Sequence, residues 1–394
     1  MKQLVFKALG GTSNTSAAGP NGISYKMIKK VLPTSLGQEL IEEIVDNLHQ
    51  GQIPQVWQQM KVVIIPKPGR DLTLTKNWRP INLINCIGKI GEKVVADQLQ
   101  EAGLLYQHQY ASVKGRSALE VVFQAVTRAQ RCLARGGSVA WGFWDVKGGF
   151  QNVIGSQVEE YMSRTEIGRR WNPWMKNFFR ARQFTISWNG KDGGNGRTNI
   201  GAPQGSPLSP VVFLIWMAPI LEEMERRVRQ VTGTDIKLPS YVDDIHLGMY
   251  DWTGKAAGSR DDGLYHNEEE LLTRASTIIK EVAAEFELLL EDSKQESLIL
   301  RPRGQRKRGK ERKWVKWLGI ILDEDLEFDV HWKKRIDKAR NMLGALNGIG
   351  TSQWGISTNS WRSAYTGMIR TTATWGVELG WRGQHDWKEA MAKV

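Results

Sequence analysis

The chain has 394 residues and a formal net charge of +12, with 54 lysines and arginines against 42 aspartates and glutamates. This length and a hydrophobic content of 41% allow a large core with two or three subdomains, and they exclude an intrinsically disordered chain. The positive charge favours a polyanionic partner, with nucleic acid as the first candidate. Cys86 and Cys132 are the only cysteines, which excludes a disulfide framework and favours a reducing, intracellular compartment.

The spacing of apolar residues predicts the elements of the amino-terminal half in chain order. A helix is expected over 36–50, and a buried strand over 62–65 that stops at Pro66. Extended structure resumes at 78–81. Two helices follow near 87–103 and 117–134, and a strand over 139–146 carries Asp145 at its end.

The carboxyl-terminal half mixes the same element types without a regular βαβ alternation, which predicts an α+β fold. A turn-prone glycine-rich stretch is predicted at 187–205, followed by a buried helix over 211–221 and a hairpin around Asp243. A polar insertion at 251–268 precedes an amphipathic helix over 268–290. Strands are predicted over 297–300 and 315–322 with a basic run at 301–313 between them, and a basic helix is predicted over 331–347. The apolar run at 211–221 is too short to span a bilayer, so no membrane association is expected.

Two adjacent carboxylates stand at the tip of an apolar hairpin in Tyr241-Val242-Asp243-Asp244. A third carboxylate, Asp145, ends another apolar segment. Such a pair is electrostatically unfavourable unless a cation lies between the carboxylates, and Mg²⁺ prefers oxygen ligands. An Asp from one strand and an Asp pair from a neighbouring hairpin would suit a two-metal phosphoryl-transfer site. The motif by itself leaves a second interpretation open, in which the Asp pair simply fills a turn.

Several further motifs follow one another in the order found in one protein family. They are Gly19-Pro20-Asn21-Gly22-Ile23, Lys67, Trp78-Arg79-Pro80-Ile81, Asp145-Val146-Lys147-Gly148-Gly149-Phe150, Pro203-Gln204-Gly205-Ser206-Pro207-Leu208-Ser209-Pro210, Tyr241-Val242-Asp243-Asp244, Lys294 and Trp317-Leu318-Gly319. Over residues 17–350, this set resembles the reverse transcriptase domain of non-LTR (LINE-type) retrotransposons.

The resemblance implies a right-hand polymerase fold, with an amino-terminal extension and fingers at 1–137, a palm with a split βαβ core at 138–325, and a partial thumb at 326–394. It implies RNA-directed DNA polymerase activity, in which a primer 3′-hydroxyl attacks a dNTP on an RNA template. Asp145, Asp243 and Asp244, with the carbonyl of Val146, would hold two Mg²⁺ ions, with Mn²⁺ as the alternative metal.

The resemblance also implies roles for residues around the substrates. Lys67 and Arg79 would bind the triphosphate, although a lone basic residue in a loop is usually just solvated. Phe150 would lie beneath the sugar of the incoming nucleotide and block a 2′-hydroxyl, unless it is simply a core residue.

Three more residues receive roles in the same way. Gln204 and Gly205 would support the template base and the nascent pair. Lys294 would be a general acid for the departing pyrophosphate, with an exposed lysine at a helix end as the alternative. The basic run at 301–313 would contact a nucleic-acid backbone, act as a nuclear localisation patch, or be a solvated loop.

The chain departs from the family pattern at three positions that are not metal ligands. Gln151 replaces an acid common after the Phe, Gly149 replaces a common Ala, and Trp144 is bulkier than the usual aliphatic residue. No endonuclease or RNase H signature is visible, which predicts a piece of a longer element or a truncated copy. A non-catalytic nucleic-acid-binding remnant and a mitochondrial intron maturase remain alternatives. The predicted compartment is the nucleus, with the mitochondrion second.

Overall fold

The structure is a computed structural model that describes residues 1–180, 182–252, 268–302, 313–348, 355 and 357–380. Helices and strands are mixed throughout, as the predicted α+β class requires. The helices are α1 (Lys2–Gly10), α2 (Tyr25–Val31), α3 (Ser35–Gln50), α4 (Cys86–Gln100), α5 (Ala118–Ala134), α6 (Gly155–Met162), α7 (Glu166–Phe179), α8 (Ser209–Thr232), α9 (Glu268–Glu285), α10 (Asp329–Asn347), α11 (Thr358–Ala364), α12 (Thr371–Thr374) and α13 (Val377–Gly380). The strands are β1 (Gln59–Pro66), β2 (Trp78–Ile84), β3 (Ser138–Asp145), β4 (Arg182–Trp188), β5 (Lys191–Thr198), β6 (Asp235–Lys237), β7 (Ser240–Tyr241), β8 (Asp244–Asp251), β9 (Glu296–Leu300), β10 (Trp314–Trp317) and β11 (Ile320–Asp323).

The first of two compact units comprises Met1–Lys114, Val146–Arg226 and Glu281–Leu290. Its four-stranded sheet has the order β2-β1-β4-β5, in which β1 pairs antiparallel with β2 and parallel with β4. Its helical core joins α3, α4 and α7. The indole of Trp174 lies against Gly91, where a Cβ would come within 2.9 Å of the ring, so this glycine permits close helix packing.

The second unit comprises Gly115–Asp145, Arg227–Lys280 and the described residues from Glu291 onward. Its main sheet has the order β6-β8-β3-β9, with β7 paired to β8, and all of these pairings are antiparallel. Helix α5 packs on β3 and β8, and α10 packs on β11. This sheet carries the carboxylates identified from the sequence.

The strand predicted over 62–65 is present but is not buried as predicted. Ile64 is half-buried and Ile65 is 45% exposed. These neighbours point to opposite faces of the sheet, so neither face is fully covered at this end of β1.

The stretch predicted as turn-prone at 187–205 contains strand β5, paired antiparallel with β4. This strand was not predicted from the sequence, because glycine is uncommon in strands. Gly196 has a packing function there, because a Cβ at this position would lie 2.4 Å from the ring of Phe184.

The single strand predicted over 315–322 is a hairpin of β10 and β11. Leu318 and Gly319 form its turn with φ of 49° and 81°. Two consecutive positive φ values match the twist of a tight hairpin, so the chain reverses within the stretch that was predicted to be extended.

The amphipathic helix predicted over 268–290 ends earlier, at Glu285, and Leu289 is 53% exposed. The predicted polar insertion at 251–268 and the basic run at 301–313 lie largely outside the described residues. The division of the chain at residues 137 and 325 stays a prediction. Among the described residues, none of the helices has the length and apolar character needed to cross a membrane.

Candidate active site

Two of the predicted carboxylates face each other across paired strands of the second unit. Strand β3 ends at Asp145, strand β8 begins at Asp244, and the antiparallel register places these two residues directly opposite each other. Directly opposed residues in such a pair have Cβ atoms about 4.5–5.5 Å apart. Strand pairing therefore brings together two motifs that lie far apart in the sequence.

Asp243 lies in the tight turn that joins β7 to β8. Tyr241 pairs with Asp244, which leaves Val242 and Asp243 as the two turn residues. Val242 has a φ of 55°, which is unusual and costly for a β-branched residue. The surrounding pairings hold this strained turn, and it presents Asp243 next to Asp244.

Lys294 is brought to Asp145 by the register of a third strand. Phe143 pairs with Glu296 in the β3–β9 ladder, and the amide of Glu291 donates to the carbonyl of Asp145 at 2.9 Å, so the short segment that carries Lys294 is held beside the end of β3. The ammonium of Lys294 forms an ion pair with Oδ2 of Asp145. Lys294 is the last residue of a short 3₁₀ helix before β9 and its side chain is largely exposed, so the alternative of an exposed lysine at a helix end stays open beside the predicted role.

The electrostatics of this group reflect burial and mutual repulsion. Burial raises the pKa of Asp244 to about 6, with further increases from the charges of Asp243 and Asp145. The pKa of Asp243 is also raised, mainly by burial. The hydrogen bond to Asp145 raises the pKa of Lys294, which keeps its ammonium charged. Concentrated negative charge of this kind is stabilised by a cation.

An aromatic layer missed by sequence analysis lies beside Asp145 on the same face of the sheet. Strand alternation puts Phe143 on the face of Asp145, and Phe143 pairs with His246 of β8. The imidazole stacks on Phe143 with centroids 4.7 Å apart and lies 4.4 Å from the Trp317 ring. Burial lowers the pKa of His246 to about 3, so it is neutral and acts in packing. The alternation in Phe143-Trp144-Asp145 was the signal that could have indicated this layer.

A cavity of about 330 Å³ opens at the carboxylates of the second unit. Its lining includes Asp145, Asp244, Lys294, Lys316 and Trp317. Within the described ranges, no three His, Cys, Asp or Glu side chains converge as a ready-made metal site. The lining is therefore mixed: charged side chains, among them the ion-paired Asp145 and Lys294, lie beside the apolar Phe143, Trp144 and Trp317.

Val146 follows Asp145 directly and belongs to the first unit. It is buried and forms an isolated bridge with Leu290, while the next amide, that of Lys147, donates to the carbonyl of Leu289 at 2.8 Å. These contacts fix the backbone at which the predicted carbonyl ligand would lie.

Lys67 directly follows β1, and Arg79 is the second residue of β2. The ammonium of Lys67 donates to the carbonyl of Lys76 at 2.7 Å, and the indole of Trp78 donates to the carbonyl of Leu72 at 2.9 Å. Hydrogen bonds within the β1–β2 connection thus hold its conformation. Arg79 is exposed on β2, opposite Ile65.

Phe150 and Gln204 are brought together in the first unit by backbone hydrogen bonds. The amide of Ala202 donates to the carbonyl of Phe150 at 2.6 Å, and the amide of Asn82 in β2 donates to the carbonyl of Gln204 at 2.7 Å. The half-buried Phe150 ring lies 5.3 Å from that of Phe213. Strand β2 therefore carries Arg79 near one end and contacts Gln204 three residues later.

Gly205 is required by its surroundings as well as by its conformation. Its φ is 131°, and a Cβ would lie 2.2 Å from the carbonyl oxygen of Asn82. Only glycine fits such a backbone conformation at such a close approach. We refer to residues 201–210 as the Pro-Gln-Gly loop.

The family model described as "Reverse transcriptase (RNA-dependent DNA polymerase)" matches residues 65–322, more than half of the chain. The chain belongs to the reverse transcriptase family. The matched range contains both the opposed carboxylates of the second unit and the Pro-Gln-Gly loop of the first. The predicted family is thus confirmed.

Similarity to curated proteins places this reverse transcriptase chain among those of non-LTR elements. It is 22% identical over 356 residues to a probable RNA-directed DNA polymerase from transposon BS of Drosophila melanogaster, covering 83% of this chain and 36% of that protein. It is 24% identical over 377 residues to a putative 115 kDa protein in the type-1 retrotransposable element R1DM of the same species, covering 92% of this chain and 34% of that protein.

A third relative belongs to another insect. The chain is 25% identical over 246 residues to a retrovirus-related Pol polyprotein from the type-1 retrotransposable element R2 of Popillia japonica, covering 59% of this chain and 32% of that protein. The reverse transcriptase chain thus spans about a third of the length of these relatives.

Proposed function

We propose that this chain is the polymerase core of a non-LTR retrotransposon reverse transcriptase, which extends a DNA primer with dNTPs on an RNA template. The observation that carries the proposal is the direct opposition of Asp145 and Asp244, with Asp243 in the adjoining turn. Oxygen ligands from two strands are the donor set that phosphoryl transfer needs. The family match and the names of the relatives support the same activity.

The proposed ligands of a pair of divalent cations, with Mg²⁺ as the first candidate and Mn²⁺ as the second, are the carboxylates at the paired ends of β3 and β8 and in the adjoining turn. Burial, and after it the charges of Asp243 and Asp145, raise the pKa of Asp244, and a bound cation would favour its ionised form. Asp145, Asp243 and Asp244, with the Val146 carbonyl, would hold the ions. The chemistry supplied by two bound cations is a lowered pKa of the primer 3′-hydroxyl and neutralisation of the triphosphate.

The remaining residues bind and orient the substrates in this proposal. Lys294 is the proposed proton donor to the leaving pyrophosphate. Its contact with Asp145 raises its pKa, so the ammonium has to leave that contact before it gives up the proton. Phe150 blocks a 2′-hydroxyl. Lys67 and Arg79 contact the triphosphate, for which Lys67 exchanges its bond to the Lys76 carbonyl for one to phosphate.

The proposal includes a right-hand arrangement of fingers, palm and thumb, in line with the mixed helices and sheets of a reverse transcriptase. An RNA template and a DNA primer are the proposed partners, which agrees with the net charge of +12. Nuclear localisation stays a prediction.

Primer extension on an RNA template tests the proposal, with the wild-type chain compared with Asp145→Asn in Mg²⁺, in Mn²⁺ and in excess chelator. We expect metal-dependent extension by the wild type and a loss of at least about a thousandfold in the variant, because stabilisation worth several kcal/mol disappears. Asp337→Asn is the matched control. Asp337 is an exposed aspartate of the same unit, and its ion pair with Arg340 is long at 4.0 Å.

The outcomes separate the candidate functions. Primed-template binding without extension by the wild type would identify a non-catalytic remnant. Extension by Asp145→Asn at the rate of Asp337→Asn would refute the site assignment.

A further inference from the structure

Three polar side chains are buried beneath the Pro-Gln-Gly loop within the first unit. Glu92 of α4 is 7% exposed, Arg182 of β4 is 4% exposed, and Ser206 in the loop is 5% exposed. Buried charged and polar groups are costly unless hydrogen-bonded partners compensate them. Their contacts therefore show what these residues hold in place.

Ser206 fastens the carboxyl-terminal side of the loop. Its Oγ accepts from the amides of Leu208 at 3.0 Å and Ser209 at 3.3 Å, and its own proton is donated to Oε2 of Glu92 at 2.6 Å. The hydroxyl of Ser209 donates to the carbonyl of Pro203 at 2.8 Å. The turn into α8 is thus tied to α4 through one buried carboxyl group.

Arg182 fastens the amino-terminal side of the same loop. Its Nη2 donates to the carbonyl of Ile200 at 2.8 Å and to that of Gly201 at 2.6 Å. Burial lowers the pKa of this guanidinium to about 10, against the opposing effect of the Glu92 charge, so Arg182 stays protonated at neutral pH. Arg182 and the Ser206–Glu92 pair are thus the two anchors of the loop, and Glu92 attracts the Arg182 guanidinium when its carboxyl group is ionised.

Four residues, 202–205, lie between the two anchors. Within them, the amide of Ala202 and the carbonyl of Gln204 make the hydrogen bonds to Phe150 and Asn82 described above. The position of Gln204 relative to Phe150 thus depends on the hydrogen bonds that Arg182 and Ser206 make on the two sides of this segment.

We propose that Glu92, Ser206 and Arg182 are positioning residues that fix the backbone of residues 202–205 and thereby set the affinity for the primed RNA template. This inference rests on the proposed function, in which Gln204 and Gly205 support the template base. All three side chains are buried. They act through the backbone that they hold, at the segment between Phe150 and β2.

The test compares Ser206→Ala with Tyr161→Phe, a control that also deletes one buried hydroxyl of the first unit. Tyr161 of α6 donates to Oε1 of Glu222 at 3.2 Å and makes no hydrogen bond to the loop. Two quantities are measured for each variant. One is the rate of backbone amide hydrogen exchange in 200–209, and the other is the Kd for a primed RNA template without dNTP.

We expect Ser206→Ala to speed amide exchange in 200–209 and to raise the Kd, each by about five- to tenfold, the size of one lost hydrogen bond. Tyr161→Phe should change neither quantity by more than about twofold. Glu92→Gln keeps an oxygen that can accept from Ser206, so its loop exchange at neutral pH should stay within about twofold of the wild type. Glu92→Ala, which has no acceptor, should match Ser206→Ala.

The results that would overturn the inference differ from those that would overturn the proposed function. Equal loop exchange in Ser206→Ala, Glu92→Ala and Tyr161→Phe, or an unchanged Kd despite faster exchange, would refute the positioning role. A wild-type chain that fails to bind primed RNA would refute the proposed function. If Ser206→Ala does not fold, Glu92→Ala and Glu92→Gln carry the same comparison.

Discussion

The buried carboxyl group of Glu92 makes the stability of the first unit depend on pH. Burial raises its pKa from 4.5 to about 7, against the opposing effects of the Ser206 hydrogen bond and the charges of Lys89 and Arg182. An acid with a raised pKa binds its proton more tightly in the folded state. Its contribution to stability is therefore fully present below the unfolded pKa of 4.5 and is lost as the pH rises through about 7.

The substitution that isolates this contribution is Glu92→Gln, which keeps a neutral side chain of similar shape. One pKa unit corresponds to about 1.4 kcal/mol, so a shift from 4.5 to about 7 corresponds to about 3 kcal/mol in total. Most of it, roughly 2 to 3 kcal/mol, falls between about pH 5 and pH 8. Glu92 is 7% exposed, so solvent screening reduces this value little.

The assay is urea unfolding of the wild type and Glu92→Gln, followed by tryptophan fluorescence at several pH values between about 5 and 8. We expect the variant to gain stability relative to the wild type as the pH rises, because only the wild type must deprotonate a buried acid. Other titrating groups cancel in the difference. A difference that stays constant within about 0.5 kcal/mol across this range would refute the burial argument.

Three further predictions concern the substrate side of the protein. Asp243→Asn should abolish metal-dependent primer extension while the far-UV circular dichroism stays unchanged, and extension near the wild-type rate would remove Asp243 from the site. Phe150→Ala should incorporate ribonucleotides at least about tenfold more readily relative to dNTPs, because a ring that excludes a 2′-hydroxyl is lost, and an unchanged ratio would leave Phe150 a packing residue. Gly205→Ala should weaken template binding more than Gly190→Ala does. Both glycines have positive φ, but only at Gly205 would the new Cβ meet the Asn82 carbonyl, at 2.2 Å. Nothing lies within 4 Å of a Cβ at Gly190. Equal effects of the two substitutions would show that backbone strain alone matters.

Elements with a strong local pattern were predictable from the sequence. The helix predicted over 36–50 is observed at Ser35–Gln50, and the strand carrying Asp145 at its end is observed at Ser138–Asp145. In both cases, the apolar period within one segment specifies the element. The predicted hairpin at Asp243 is observed for the same reason.

Elements that depend on packing against a neighbouring strand or helix could not be predicted from the local spacing of apolar residues. Strand β5 contains three glycines, and Gly196 makes room for a ring on the adjacent strand. The turn at Leu318 interrupts an apolar run that had no visible break before the glycine. Local secondary-structure propensity does not indicate such packing contacts.

The family could be inferred from the order of short motifs around Asp145, Gln204 and Asp243, because that order requires no knowledge of contacts. The ion pair of Lys294 with Asp145, 149 residues away, and the hydrogen bond from Ser206 to Glu92, 114 residues away, became visible only in the folded chain. Strand pairing and helix packing bring these partners together. Both arise from burial of the whole chain, and the local spacing of residues does not encode them.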